Sequence, residues 1–181
     1  MLRYRLLKED DLETRVKWMN DPRIYQTMHF TPPITIEKTN EWFLKNKVSN
    51  SRRDFVLEDE KGQLLVMSGL TGREAPINKS ESYTFVNPDI KGKGLGKLSV
   101  SLNCWYAFYI WKINKVWAFI DSDNIASLKV YTTVGFKTEG ILRKEVRREE
   151  TLIDRYYLGL LKEEFNSDVL NNYKSEIKVE L

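Results

Sequence analysis

The chain has 181 residues, a formal net charge of +3 and 12% aromatic side chains, which predict one folded domain over residues 1–181 and exclude a disordered segment. Basic and acidic residues interleave, so the one-sided basic surface of a nucleic-acid-binding protein is missing, and no apolar stretch is long enough to span a membrane. The single Cys104 excludes an internal disulfide, and the N-terminus has no signal-peptide pattern, so we expect a cytoplasmic protein. We also expect a monomer or homodimer without a metal.

The N-terminal part of the chain is predicted to contain one strand and two helices. The strand covers residues 3–7, and the first helix runs over about 11–20, where the sequence Asn-Asp-Pro ends it. Residues 22–34 are rich in aromatic side chains and prolines, which favours a loop. Thr35 is a good N-cap for the second helix, over about 36–47.

The rest of the chain alternates strands with helices. A strand, a helix and a second strand over residues 83–120 imply one parallel crossover, and the other strands are expected to be antiparallel. A polar tail of uncertain structure follows from about residue 163. The predicted strands are 54–58, 63–70, 81–86, 115–120, 136–146 and 152–161, and the helices are about 95–111 and 125–134, the last ended by Gly135.

A glycine-rich segment separates strand 81–86 from the long helix. Glycines allow positive φ and a close approach to a ligand, and the free N–H groups of a helix start bind phosphate. The spacing fits neither a Walker loop, because Leu98 stands where Ser or Thr is required, nor a dinucleotide-binding loop. A solvated turn is the alternative. The segment consists of Lys91, Gly92, Lys93, Gly94, Leu95, Gly96 and Lys97.

A second motif lies downstream and consists of Asn124, Ser127, Tyr131, Gly135 and Phe136. The two motifs together resemble those of the GNAT acetyltransferases, and the nearby Glu-Gly and Leu-Arg pairs are similar to the RimJ/RimL-like type. The resemblance implies an α/β GNAT fold with a central mixed, mostly antiparallel sheet, one parallel βαβ crossover, splayed strands and helices on both faces. It also implies acetyl-CoA as co-substrate and direct acetyl transfer to a primary amine in a ternary complex.

The resemblance assigns a role to each motif. Residues 91–97 would hold the pyrophosphate, residues 84–87 would pair with the pantetheine arm, and a backbone N–H near Phe85 or Val86 would stabilise the oxyanion. Asn124 and Ser127 would contact the pantetheine, although Asn124 is also a favoured N-cap. Tyr131 would protonate the leaving thiolate, or else belong to the core. Glu81 would take the amine proton, or else be an exposed carboxylate at a strand end.

The acceptor is expected to reach the coenzyme through residues 18–29 and the helix that carries Trp42. Asn20 and Asp21 offer oxygen ligands for an ammonium or hydroxyl group, and His29 is the only histidine, a residue type that can act as a base near neutral pH. A protein N-terminus and an amino sugar both fit, whereas a polyamine fits less well beside the basic residues of this segment. The alternatives from other classes are a non-catalytic CoA-binding module and a phosphate-binding regulatory domain.

Overall fold

A computed structural model describes residues 1–74, 76, 78–90, 94–173 and 176–181. These residues form one mixed sheet in the order β6-β7-β5-β4-β3-β2-β1-β8. Every strand predicted from the sequence is present, with ends shifted by a few residues. The strands are β1 (Leu2–Leu6), β2 (Arg53–Glu58), β3 (Leu64–Glu74), β4 (Lys79–Val86), β5 (Lys115–Asp121), β6 (Lys137–Arg148), β7 (Thr151–Leu161) and β8 (Ile177–Glu180).

Helices cover both faces of the sheet, as predicted. One face packs an apolar cluster against the N-terminal helices, and the other packs the larger core against α4 and α5. Among the described residues, no helix is both long enough and apolar enough to cross a membrane. The helices are α1 (Leu12–Met19), α2 (Pro22–Met28), α3 (Ile36–Asn46), α4 (Leu95–Trp105), α5 (Ile125–Val134) and α6 (Asp168–Asn171).

Local capping signals fix several helix ends where the sequence places them. The Thr35 hydroxyl accepts a hydrogen bond from the Lys38 N–H at the start of α3. Gly135 ends α5 with φ of 114°, a conformation that side chains with a Cβ rarely adopt. Both predictions are therefore confirmed. Each could be made from the sequence because it depends only on neighbouring residues.

The prediction of a loop over residues 22–34 is wrong for its first half, which forms α2. Asp21 is the N-cap and accepts a hydrogen bond from the Arg23 N–H at 2.8 Å, and Pro22 occupies the first turn. Proline is tolerated there because the first N–H groups of a helix have no intrahelical partner. The same Asn-Asp-Pro segment thus ends α1 and begins α2. His29 ends α2 in the left-handed conformation.

Two further features differ from the sequence prediction. Part of the polar tail forms β8, which pairs in parallel with β1, so the strands outside the crossover are not all antiparallel. The helix after the glycines changes to a π-helix over Tyr106–Ile110. The wider π-helical turn changes the direction of the side chains that it carries, and Tyr109 is 41% exposed.

The parallel strands β4 and β5 separate along their length. They pair only from Lys79 opposite Lys115 to Glu81 opposite Trp117. Beyond this point β4 stays on β3, while β5 continues on β7 as far as Asp121 opposite Arg155. The predicted splay is thus present, and it leaves an unpaired backbone edge on the second half of β4.

Candidate active site

A cleft of about 360 Å³ opens where β4 and β5 separate. Its walls come from α2, the second half of β4, the start of α4, the end of β5, and α5. The lining includes eight residues predicted for catalysis, coenzyme binding or acceptor binding: His29, Glu81, Phe85, Val86, Gly96, Asn124, Ser127 and Tyr131.

The backbone of β4 decides which N–H group faces the cleft. The Asn87 N–H donates to the Leu65 carbonyl of the neighbouring β3 strand at 2.9 Å. N–H groups alternate between the two sides of an antiparallel strand, so the Phe85 N–H also faces β3, whereas the Val86 N–H faces the cleft. Of the two predicted oxyanion donors, only Val86 is therefore correctly oriented. Phe85 contributes its buried ring, 4% exposed, to the cleft wall.

The glycine segment leads into the N-terminus of α4. Lys91, Gly92 and Lys93 lie outside the described residues, so their predicted role stays a prediction. Gly94 is the N-cap with φ of 67°, and Leu95 is buried beneath the first turn. Gly96 lines the cleft, and a Cβ there would lie 3.6 Å from Val130 and 3.7 Å from Val86. Gly96 thus keeps the first turn of α4 open to a ligand.

Lys97 completes the first turn of α4. It is partly exposed and does not line the cleft. The first N–H groups of α4 have no intrahelical partner, and the helix dipole adds partial positive charge at this end. The described part of the segment therefore has the features of an anion-binding helix start.

Asn124 and Ser127 form the second wall at the start of α5. The Asn124 side-chain oxygen accepts a hydrogen bond from the Ser127 N–H at 3.1 Å, which makes Asn124 the N-cap. Both residues also line the cleft. The side-chain NH₂ of Asn124 donates to no other described residue. Capping and ligand contact are thus compatible at this position.

Tyr131 lies on α5 with its side chain buried and its hydroxyl at the splay. The ring is 2% exposed and packs edge-on against Phe136, and the hydroxyl donates to the Ser82 carbonyl at 3.0 Å. Burial raises the pKa of the phenol well above its usual value. The phenol is therefore protonated at neutral pH. It is a core residue and a cleft residue at once, so both sequence interpretations are compatible with its position.

Glu81 is half-buried at the last paired position of β4. Burial raises the pKa of its carboxyl above the usual value, although the charges of Arg155 and Arg52 oppose this effect. A carboxyl with a raised pKa is a stronger base once it is ionised. The exposed carboxylate considered from the sequence is not what the structure contains.

His29 joins a charged cluster at the end of β5. Its Nε2 lies 3.0 Å from Asp121 Oδ1, and the Asp121 side chain is only 1% exposed. Arg148 donates to the other oxygen of Asp121 at 2.7 Å, and Arg155 Nε lies 3.3 Å from Oδ1. The carboxylate of Asp121 is thus shared among three cationic or potentially cationic groups, and His29 is held against the cleft.

Neither Asn20 nor Asp21 lines the cleft, although the sequence interpretation placed both in the path of the acceptor. The Asn20 NH₂ donates to the Val16 and Ile34 carbonyls, and its oxygen accepts from the Ile34 N–H at 2.9 Å. The Asp21 carboxylate is bound by the Arg23 guanidinium, whose hydrogen bonds lower the pKa of Asp21 to about 2. Asn20 fixes the connection after α1 and Asp21 caps α2, so their polar atoms are already used.

Sequence reasoning missed Asp121, Arg148 and Arg155. A carboxylate directly after an apolar parallel strand was an available signal for Asp121, because that strand end lies at the ligand-binding edge of such sheets. The two arginines gave no local signal. They meet Asp121 only because of the β5–β7 register and the long β6–β7 hairpin.

Comparison with known proteins shows which family the chain matches. The family model described as "Acetyltransferase (GNAT) domain" matches residues 1–137. The chain is 23% identical over 168 residues to the uncharacterized N-acetyltransferase p20 of Bacillus licheniformis, covering 91% of this chain and 94% of that protein. It is 24% identical over 144 residues to a spermidine N(1)-acetyltransferase of Vibrio cholerae, covering 80% and 83%.

The solved structures agree with the predicted fold. The crystal structure of spermidine N-acetyltransferase from Vibrio cholerae in complex with CoA and spermine has a TM-score of 0.86 and 23% identity, covering 90% of this chain and 96% of that one. The GNAT fold predicted from the motifs is confirmed by this likeness and by the family match.

Proposed function

Because the chain belongs to the GNAT acetyltransferase family, we propose that it transfers the acetyl group of acetyl-CoA to a primary amine by direct attack in a ternary complex. The family match confirms the prediction of an acetyltransferase. The RimJ/RimL-like type is not supported, because the relatives with a named substrate are spermidine N-acetyltransferases. One observation carries the proposal: the splay brings the start of α4, the open edge of β4, Tyr131 and Glu81 to one cleft.

The residues of the cleft divide the reaction between them. The neutral amine attacks the thioester carbonyl, and as its nitrogen forms the C–N bond, Glu81 takes the proton that this nitrogen loses. The Val86 N–H donates to the carbonyl oxygen as that oxygen gains negative charge. As the C–S bond breaks, the Tyr131 hydroxyl donates its proton to the departing sulfur. The start of α4 holds the pyrophosphate, and Asn124 with Ser127 positions the pantetheine arm.

The charges of the cleft favour an acceptor with one amine over a polyamine. Glu81 is the carboxylate in the described lining that has no cation bonded to it, because Asp121 is shared by His29, Arg148 and Arg155. Arg23 and Arg155 also line the cleft. A polycation needs several free carboxylates, so we propose a single amine, on an amino sugar or a protein N-terminus, although the named relatives act on spermidine.

The proposal is tested by release of free CoA thiol from acetyl-CoA with panels of amino sugars, short peptides and spermidine. We expect thiol release with a member of the first two panels and a lower kcat/KM for spermidine. Thiol release with no amine, together with tight acetyl-CoA binding, would favour the non-catalytic CoA-binding module. A higher kcat/KM for spermidine than for every single amine would contradict the acceptor assignment.

Glu81→Gln should remove the base and lower kcat by roughly a hundredfold or more. Glu81 must be ionised to act, so wild-type activity should fall as the pH drops through a pKa above that of an ordinary glutamate. The raised pKa also means that the folded state disfavours ionised Glu81 at neutral pH, so the variant should unfold at an equal or higher temperature. A pH profile of kcat/KM and a thermal melt measure both effects.

His29→Ala is the matched comparison for Glu81→Gln, because His29 is a second side chain in the cleft lining that can accept a proton. If Glu81 is the base, His29→Ala keeps the acidic limb of the pH profile and changes mainly the acceptor KM. A Glu81→Gln variant with wild-type kcat would assign the base to His29 or to water.

A further inference from the structure

We propose that the acceptor carries an anionic oxygen group, a carboxylate or a phosphate, and that Arg15 binds this group. The inference rests on the proposed function, because the anion belongs to the same molecule as the amine that Glu81 deprotonates.

Arg15 is a buried cation that has no counter-ion in the part of the chain that the structure describes. Its side chain extends from α1, the residue is 4% exposed, and neither Nε nor Nη1 has a hydrogen-bond partner among the described residues. The other buried arginine, Arg5, donates to Asp11 at 2.7 and 2.9 Å and to Glu58 at 2.5 Å. A buried charge requires such partners, because it has lost its hydration. The guanidinium of Arg15 therefore has free donors that are shielded from solvent.

Aromatic rings hold Arg15 next to the cleft. Its guanidinium carbon lies 4.6 Å from the ring centroid of Trp42, 5.4 Å from Phe85 and 5.9 Å from Tyr83. Phe85 and Tyr83 line the cleft themselves. Ring faces attract the cation but leave the N–H groups at the guanidinium edge unpaired. The contacts thus orient Arg15 without satisfying its donors.

Arg15 lies on the same side of β4 as Glu81, the proposed base. Side chains alternate along a strand, so Glu81, Tyr83 and Phe85 lie on one face of β4. Arg15 lies over the two aromatic members of this row, and Glu81 is the next member. An acceptor that binds Arg15 through one end and reaches Glu81 with its amine therefore needs only a short spacer, as in an amino acid or an amino-sugar phosphate.

The carboxylate of Asp54 does not neutralise Arg15, because it is bonded to Arg52. The Arg52 guanidinium also lies over the Trp42 ring, 4.8 Å from its centroid, and donates to Asp54 through two hydrogen bonds of 2.8 Å. The Tyr83 hydroxyl also donates to Asp54. Asp54 is thus bonded to Arg52, and no carboxylate among the described residues is bonded to Arg15. The unpaired guanidinium of Arg15 attracts an anion and repels a polyamine.

The test compares amines that differ only in the anionic group. Wild-type protein saturated with CoA is melted with O-phosphoethanolamine against ethanolamine, and with β-alanine against β-alaninamide. Saturation with CoA keeps these probes from the pyrophosphate site. We expect the anionic member of at least one pair to stabilise the protein more, and the pair that responds identifies phosphate or carboxylate. Arg15→Gln should weaken binding of that member roughly tenfold or more.

Arg143→Gln is the matched control, because Arg143 is an exposed arginine on β6, outside the group of aromatic rings that holds Arg15. It should keep the wild-type preference. Equal stabilisation by both members of each wild-type pair overturns the proposal and assigns Arg15 to packing alone, and this result does not depend on whether Arg15→Gln folds. Thiol release from acetyl-CoA with neutral amines or spermidine, measured without added CoA, would leave the proposed acetyl transfer intact. Failure of all thiol release would instead contradict the proposed function.

Discussion

Gly94→Glu is expected to abolish the thermal stabilisation of the protein by acetyl-CoA. In the wild type, a ligand at about a hundred times its Kd adds about 2.7 kcal/mol of stability, or roughly 5–10 °C for a chain of this size. The substitution places a negative charge at the N-cap of α4, where we propose that the pyrophosphate binds. Thermal melts with acetyl-CoA, CoA and ATP measure the effect.

Two controls separate charge from backbone strain. Among the described residues, a Cβ at Gly94 meets only the Tyr173 hydroxyl, at 3.8 Å, but φ of 67° strains any residue with a side chain. Gly72 has φ of 64°, and no atom of the described residues lies within 4 Å of a Cβ added there, so Gly72→Glu should lower the melting temperature yet keep the response to acetyl-CoA. Gly94→Gln should keep part of the response. Equal stabilisation of the wild type by ATP would contradict the CoA assignment and favour a general phosphate-binding domain.

Tyr131→Phe is expected to lower kcat by roughly a hundredfold while leaving the acetyl-CoA KM nearly unchanged. The substitution keeps the ring packed on Phe136 and removes only the hydroxyl at the splay. Because burial raises the pKa of this phenol, the proton is present throughout the neutral range and is available to the leaving sulfur. Steady-state kinetics with acetyl-CoA and an active amine measure the change.

Tyr4→Phe is the control for the loss of a buried hydroxyl. Tyr4 is fully buried, and its hydroxyl donates to Asn103 at 3.0 Å, away from the cleft. Both variants should lose about 1 kcal/mol of stability, but Tyr4→Phe should keep its turnover. If both variants turn over at the same rate, Tyr131 is a packing residue and the sulfur takes its proton from water.

Local signals explain what the sequence predicted well. Three local signals act on residues within one turn of themselves, so their effect is visible in a short stretch: Thr35 as N-cap, Gly135 with its positive φ, and Gly94 before α4. The spacing from Asn124 to Tyr131 belongs to one helix, and both residues line the cleft. The GNAT resemblance rests on these same local motifs.

Short-range signals were ambiguous where one residue type serves two purposes. Asn20, Asp21 and Pro22 signal the end of α1 equally well as the start of α2, and only the fold shows that both occur. The sequence alone left the polar atoms of Asn20 and Asp21 available to a substrate. In the fold, the path of the chain around α2 brings Ile34 to Asn20 and the Arg23 side chain to Asp21.

The sequence by itself determined the GNAT family and the order of the elements other than α2, α6 and β8, because these depend on local motifs, capping and periodicity. Only the tertiary structure decided that the N–H group of Val86, rather than that of Phe85, faces the cleft, since strand register sets the direction of each N–H group. It also brought His29 and Arg148 to Asp121, and left Arg15 buried over Tyr83. Charges far apart in the sequence meet only after the sheet is assembled, and we propose that these charges select the acceptor.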